Sequence, residues 1–247
     1  MPLAHVETAF AVDSTGFASS RFVRWFNIKY GHEIDFHSWN KLHLICGVKT
    51  NIVTGVAVTD RHVRDNVKLP ELVARTKEHF TINEVSADGG YSSGAVIKAI
   101  MDAGGSPYIA FRAATKTTTS PVHGNAVIYR KLYHLFMADQ ENYLKHYHKR
   151  SNVESTFNMI KTKFGDEVRS KTDIAQRNEI LCKVLAHNIC VLIRAMYELH
   201  IPTKYLGTVE VAADTDRNNT LGKRKYLPSL RTYQVGKIKQ DAICYAQ

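Results

Sequence analysis

The sequence lacks the features that mark membrane, zinc-binding and disulfide-rich proteins. No uninterrupted apolar run approaches the roughly 18 residues of a transmembrane helix, and the first residues do not resemble a signal peptide. The four cysteines form no CxxC pair, which favours reduced thiols over a zinc or redox motif. His146 and His148 are the closest histidine pair, and no third ligand lies at zinc spacing. We therefore expect a soluble, cytoplasmic protein without structural zinc.

Acidic residues are the minority among the charged side chains. The chain has 23 Asp and Glu against 33 Lys and Arg, a net charge of +10 and a pI near 9.4. Such an excess favours a polyanionic partner, and nucleic acid is the commonest one. Composition alone also allows an ordinary soluble basic protein. With 44% apolar residues in 247, the chain can bury a core in one large or two small domains.

The pattern of apolar residues predicts a mixed sheet flanked by helices. Residues 6–13 predict a first strand, and residues 42–48 and 52–59 predict a hairpin that turns at Thr50 and Asn51. A helix from about Asp65 follows, and then a strand at 82–87, a helix at 94–105 and a strand at 107–112. A strand–helix–strand unit implies parallel pairing by a right-handed crossover. The expected fold is therefore α/β, a ribonuclease-H-like five-stranded sheet that joins an antiparallel meander to parallel strands. An amphipathic helix is also predicted over 127–144, and a long apolar helix over 174–199. The residues of the last helix that we expect to close the core are Leu181, Val184, Leu185, Ile189, Leu192 and Ile193.

Two of the predicted strands end in an acid. Asp13 comes before Ser14, Thr15 and Gly16, which are turn-forming residues, and Asp88 comes before Gly89 and Gly90. A buried strand that ends in a carboxylate holds a metal ligand rigidly. The alternative for Asp13 is a simple turn hydrogen bond.

The segment from Tyr147 to Lys161 predicts a helix with chemistry on one face. At about 100° per residue, Tyr147, Arg150, Glu154 and Lys161 fall within about 60° of one another, and we call these four residues the charged stripe. An apolar stripe lies beside them and would pack on a core. A carboxylate flanked by two cations and a phenol suits a site that handles phosphate and metal. The alternative is a solvated amphipathic helix.

The spacing of the charged stripe resembles the YREK signature of the DDE transposases of bacterial insertion sequences, and the resemblance covers roughly Phe10 to Leu199. Asp13 and Asp88 resemble the first two catalytic acids of that family, and Glu154 resembles the third. The resemblance implies a ribonuclease-H-like fold with the third acid on a late helix. It also implies that these three acids hold two Mg²⁺ ions, or Mn²⁺ in their place.

The same resemblance implies the activity and the partners. The protein would nick DNA at transposon ends and transfer the freed 3′-hydroxyls into target DNA, acting as a homodimer on DNA. Tyr147, Arg150 and Lys161 would contact the DNA. His62 and Asp65 resemble an accessory pair of the family, and no catalytic role is assigned to them. Family members usually carry a DNA-recognition region before the first aspartate, which we expect to be missing here.

We expect a catalytic domain over residues 1–202 and a loosely ordered, polar and basic tail over 203–247. The aromatic and basic residues of 17–40 predict an irregular excursion that could stack on DNA, and 113–124 predict a loop. Two rival functions remain at this point: a truncated, inactive transposase relic that binds DNA nonspecifically, and a ribonuclease-H-like nuclease that acts on RNA hybrids or junctions.

Overall fold

Five strands form one mixed sheet in the computed structural model of the chain, which describes residues 3–19, 29–31, 39–111 and 125–199. The order across the sheet is β3-β2-β1-β4-β5. The strands are β1 Ala9–Ala18, β2 Trp39–Gly47, β3 Val53–Asp60, β4 Glu84–Ala87 and β5 Ser106–Ile109. The first three pair antiparallel, and β1, β4 and β5 pair parallel. This arrangement confirms the predicted ribonuclease-H-like α/β fold.

Six described helices of eight residues or more accompany the sheet. They are α1 Asp65–Lys77, α2 Gly94–Asp102, α3 Asn125–Ala138, α4 Gln140–Tyr147, α5 Ser151–Phe164 and α6 Asp173–Glu198. Two short 3₁₀ turns, Gly89–Tyr91 and His148–Arg150, complete the described elements of this kind. The predicted turn between β2 and β3 is confirmed, since Asn51 has a φ of 61°.

Alternate side chains of β1 face two separate apolar layers, as the period of a strand requires. Phe10 and Val12 pack with residues of α1 and α2 on one face of the sheet. Ala11 and Phe17 pack with residues of α5 and α6 on the other. Each large side chain that is fully buried in this way contributes about 1.5–3 kcal/mol. Because Asp13 shares the parity of Ala11 and Phe17, it belongs to the α5 face of the sheet.

Strand β1 continues for five residues beyond Asp13, where the sequence predicts a turn. β2 pairs with β1 along this extension, through contacts such as Thr15 with Leu42 and Phe17 with Asn40. Pairing with a long neighbouring strand therefore overrides the local turn preference of Ser14, Thr15 and Gly16.

The predicted helix over 127–144 is wrong in one respect, because it is two helices that meet at Asp139. The side chain of Asp139 accepts a hydrogen bond from Asn142 N at 3.0 Å, so it caps α4 rather than continuing α3. The helix predicted over the charged stripe is likewise interrupted by the 3₁₀ turn His148–Arg150.

Helix α6 covers the core with one side only. Ile180 and Val184 are buried against the sheet, as the sequence predicts for Val184. Leu181, Leu185, Ile189 and Ile193 were also predicted to close the core, and all four are exposed. By length and composition α6 could cross a membrane, and 28% of its most apolar window is buried in the fold. When apolar residues occur on several sides of a helix, the sequence does not indicate which side the rest of the chain buries.

The chain divides into two units, residues 1–203 and 204–247. The second unit lies outside the described residues, so the predicted tail stays a prediction. Most of the excursion predicted over 17–40 and all of the loop predicted over 113–124 also lie outside them.

Candidate active site

The first two predicted acids lie next to each other where the pairing of β1 with β4 ends. β1 and β4 run parallel, and their last paired residues are Val12 and Ala87. Asp13 and Asp88 directly follow this pair, on strands that lie about 5 Å apart. Asp88 is exposed, and its carboxylate accepts a hydrogen bond from Gly89 N at 2.6 Å. The parallel register therefore brings together two acids that are 75 positions apart in the sequence.

The residues of the charged stripe lie on a continuous helical backbone, although a 3₁₀ turn interrupts the α-helix. Tyr147 is the last residue of α4, Arg150 ends the 3₁₀ turn, and Glu154 and Lys161 belong to α5. The backbone stays right-handed helical across the junction, with φ and ψ of −59° and −41° at Tyr147 and −54° and −32° at Arg150. The 3₁₀ turn is thus a local tightening and leaves the predicted face intact.

Arg150 joins the third acid to the first. Its Nη1 donates to Asp13 Oδ2 at 3.0 Å, and its Nη2 donates to Glu154 Oε1 at 2.6 Å. The side chains of Arg150 and Asp13 are 22% and 23% exposed, whereas that of Glu154 is 57% exposed. We call this arrangement the Arg150 bridge. It places Glu154 on the side of β1 that carries Asp13, near the point where β4 ends.

The pKa of Asp13 reflects the neighbouring acids Asp88 and Asp65. Burial raises the pKa of the Asp13 carboxyl, and the negative charges of Asp88 and Asp65 raise it further. The Ser14 amide and Arg150 act in the opposite direction, without cancelling the rise. A carboxylate whose charge is opposed by like neighbours gains from a bound cation, and Arg150 supplies part of that compensation.

Lys161 docks on the same strand as Asp13. Its Nζ donates to Thr15 Oγ1 at 2.7 Å and lies 5.4 Å from the centre of the Phe17 ring. Burial lowers the pKa of Lys161, and the charge of Asp166 opposes that change. Asp13, Thr15 and Phe17 alternate along one face of β1, so both cations of the stripe converge on that face.

A polar network around Asp65 lies on the opposite face of β1, and no motif in the sequence indicates it. Asp65, at the start of α1, accepts hydrogen bonds from Ser14 Oγ and from Lys41 Nζ, both at 2.6 Å. Burial alone would raise the pKa of Asp65, but these two donors lower it. His62, the supposed companion of Asp65, instead accepts from Arg61 Nε at 3.0 Å. The described side chains of His62 and Asp65 make no direct contact, and the accessory pair stays a prediction.

Two buried side chains next to this network lack full hydrogen bonding within the described part of the chain. His43 Nδ1 lies 3.4 Å from Asp65 Oδ1, which is too long for a good hydrogen bond. Burial lowers the pKa of His43 to about 4, so its ring is neutral at pH 7. The Tyr91 hydroxyl also has no partner of good geometry. Burial raises the pKa of Tyr91, and the charges of Asp13 and Asp65 add to that rise.

Glu84, at the other end of β4, anchors the segment that precedes α5. Its carboxylate contacts His146 Nδ1 and Lys149 Nζ. The His146 ring stacks on Tyr108 of β5, with the ring centres 4.5 Å apart. These contacts tie both sides of Tyr147 to the sheet, and they fix where the 3₁₀ turn presents Arg150.

The donor atoms of the three acids suit a hard divalent cation, because all of them are carboxylate oxygens. Among the described residues, no three His, Cys, Asp or Glu side chains lie close enough together to form a complete metal cluster. The Arg150 bridge occupies the space between Asp13 and Glu154 instead. The three carboxylates thus suit Mg²⁺ or Mn²⁺ chemically. For Asp13 and Glu154 to bind the same ion, the Arg150 guanidinium would have to move from between them.

The family model for the transposase DDE domain matches residues 4–189 of the chain. That range contains Asp13, Asp88 and the whole charged stripe. No curated protein matches the sequence.

Proposed function

The chain belongs to the transposase DDE domain family and contains a transposase catalytic domain, and we propose that it uses Mg²⁺ to cut DNA at transposon ends and to join the freed 3′-hydroxyls to target DNA. DNA at the transposon ends is the substrate that the family implies. We further propose that the protein works in the cytoplasm, as a homodimer on DNA that holds two transposon ends.

The Arg150 bridge is the observation that carries the proposal. Glu154 follows Asp13 by 141 positions, yet one guanidinium contacts both carboxylates. Asp88 joins them through the parallel register of β1 and β4. Asp13 and Asp88 follow neighbouring parallel strands, and the negative charge of Asp88 raises the pKa of the Asp13 carboxyl. This proximity, together with the link from Asp13 through Arg150 to Glu154, supports a role in binding metal.

We assign the residues as follows. Asp13, Asp88 and Glu154 would hold two divalent ions, which when bound activate the attacking hydroxyl and stabilise the leaving oxygen. Arg150 and Lys161 would bind phosphates beside the cut, because guanidinium and ammonium groups are the usual hydrogen-bond donors to phosphate oxygens in proteins. Tyr147, which is half-buried between α4 and the 3₁₀ turn, would position a phosphate or the terminal nucleotide.

A plasmid nicking assay tests this proposal without knowledge of the recognised end sequence. Supercoiled DNA is incubated with the full chain and Mn²⁺, and the same assay is run on Asp88→Asn and Glu154→Gln. Each variant should lose at least 100-fold in nicking rate, because each removes a proposed metal ligand. Asp102→Asn is the matched control, since Asp102 is an exposed acid on α2 whose partner is Lys98.

The outcomes separate the rival functions. Nicking that survives in both acid variants would refute the assignment of the site. Cleavage that strictly requires an RNA strand would favour a ribonuclease-H-like nuclease. DNA binding without any nicking by the wild-type chain would favour the inactive relic.

A further inference from the structure

Helix α6 presents an apolar face to solvent along most of its length. We call it the outer face of α6, and its large members are Ile174, Leu181, Leu185, Ile189, Ile193 and Tyr197. Their exposure ranges from 39% at Leu181 to 75% at Ile174. Contiguous apolar surfaces of this kind mark sites of interaction with other molecules.

The outer face is fixed in its orientation, because polar contacts hold the opposite side of α6 to the sheet. The Asn188 side chain accepts from Val53 N and donates to Val53 O, each at 2.8 Å. Lys183 Nζ donates to Gly165 O at 3.0 Å and to Glu167 O at 2.6 Å. Rotating α6 to bury its outer face would break these bonds and leave buried polar groups unpaired.

Charge is kept away from the middle of the outer face. The charged side chains between Asn178 and Ile193 are Glu179 and Lys183. Lys183 is buried, and Glu179 accepts hydrogen bonds from Arg169 N and Ser170 N. A partner could therefore cover the part of this face from Leu181 to Ile193 without leaving a buried charge unpaired.

The area of the outer face matches the requirement of a stable interface. If a fully exposed Leu, Ile or Tyr contributes roughly 200 Å², the exposed fractions amount to about 700–800 Å², close to the roughly 800 Å² per partner of a standard protein interface. A rim of smaller residues would add to this value.

The spacing of the outer face makes it complementary to itself. Leu181, Leu185, Ile189 and Ile193 recur every four residues, so their pattern is symmetric about position 187. An antiparallel second helix centred there would place Leu181 against Ile193, and Leu185 against Ile189. A two-fold dimer requires a patch of this self-matching kind. We propose that the outer face of α6 binds a second copy of this chain, with the two helices antiparallel and without any need for DNA.

Sedimentation of the full chain tests the proposal over a range of concentrations, in about 0.3 M salt to screen the net charge. The wild-type chain should dimerise. Leu185→Glu should weaken the dimer at least tenfold, since it places two carboxylates inside the contact. Leu135→Glu on α3 is the matched control, because Leu135 is 65% exposed and Leu185 is 61% exposed. Circular dichroism should show that both variants remain folded.

Crosslinking tests the orientation of the helices. Cys182 and Cys190 are exposed on α6, whereas Cys46 is buried. In the antiparallel pair, Cys182 of one copy lies opposite position 192 of the other. Cys190 is about two residues from that position, or roughly 3 Å along the helix axis. A short bis-maleimide applied to a Cys244→Ser chain should therefore link Cys182 to Cys190 between copies. Leu185→Glu should lose the link.

Several results would overturn the proposal. A chain that stays monomeric at every concentration would do so, and so would a dimer that Leu185→Glu leaves unchanged. A link from Cys182 to Cys182 would indicate parallel helices. Binding of a monomer to neutral lipid vesicles, lost in Leu185→Glu, would assign the face to a membrane. The test uses neither DNA nor metal, so its failure leaves the catalytic proposal standing.

Discussion

Replacing Arg150 with alanine should lower the folding stability of the metal-free protein and raise its affinity for divalent cations. The Arg150–Glu154 pair is an exposed i,i+4 contact worth about 0.3–0.5 kcal/mol. The contact with Asp13 is more sheltered, and a hydrogen bond between charged groups contributes about 1.5 kcal/mol at the low end of its range. Arg150→Ala should therefore cost about 1–2 kcal/mol. For a folded unit of about 200 residues this corresponds to a fall of roughly 3–6 °C in the melting temperature.

The effect on metal affinity has the opposite sign. In the wild-type chain, a cation must displace the guanidinium from Asp13 and Glu154 before both acids can turn to it. Removing Arg150 abolishes that competition, and since about 1.4 kcal/mol equals a factor of ten, Mn²⁺ should bind roughly tenfold more tightly. The rise in melting temperature with Mn²⁺ should begin at lower concentration, because a ligand of the folded state stabilises it by mass action.

Thermal melting in a Mn²⁺ titration measures both effects in one experiment. Arg75→Ala is the control, because Arg75 donates to Glu71 at 2.7 Å in an i,i+4 pair on α1, far from the acids. It should change stability by no more than about 0.5 kcal/mol and leave the Mn²⁺ response unaltered. Asp88→Asn should abolish most of that response. An Arg150→Ala variant that melts like the wild type, or binds Mn²⁺ no better, would refute the competition between the Arg150 bridge and the metal.

Two further predictions concern His43 and Lys161. Because the pKa of buried His43 falls to about 4, the folded state takes up a proton less readily than the unfolded chain. Stability should therefore be full above about pH 6.5 and decline below it, by about 2–3 kcal/mol at pH 4.5. Urea unfolding at about pH 7 and about pH 4.5 should show this loss of stability in the wild type and a smaller loss in His43→Gln. Lys161→Met should weaken DNA binding and reduce the slope of log affinity against log salt by about 1, as removal of one phosphate contact does. Anisotropy titrations measure the slope, and an unchanged slope in Lys161→Met, or an equal change in the exposed Lys163→Met, would contradict this role.

The sheet could be predicted from the sequence because its strands are strongly apolar and a clear turn joins β2 to β3. The reason why Asp13 lies beside Asp88 differs from the one expected. Asp13 was predicted at the end of a strand, yet β1 runs on to Ala18. What makes Asp13 accessible is the end of its parallel partner, since β4 stops at Ala87. The sequence can indicate that an acid follows an apolar run, but the pairing register decides which acids meet.

Other features could not be predicted because they depend on contacts between distant segments. Ser14, Lys41 and Asp65 form one network, although neither their spacing nor their types mark them as partners. The outer face of α6 has the same origin. Both faces of the helix carry large apolar residues, and the sequence does not state which side another part of the chain will cover. The Arg150 bridge is a third case, since helical spacing gives its contact with Glu154 but not its contact with Asp13.

The two cations of the charged stripe differ in what metal binding would do to them. Arg150 is held by Asp13 and Glu154, which are the proposed ligands, so a cation that takes these acids releases the guanidinium. Lys161 is held by the Thr15 hydroxyl, a neutral group with no proposed role as a ligand, so its position should not depend on the metal. A released guanidinium near a newly bound cation can lower its free energy by pairing with a phosphate. Loss of Lys161 should therefore weaken DNA binding with or without Mn²⁺, whereas loss of Arg150 should weaken it chiefly when Mn²⁺ is present.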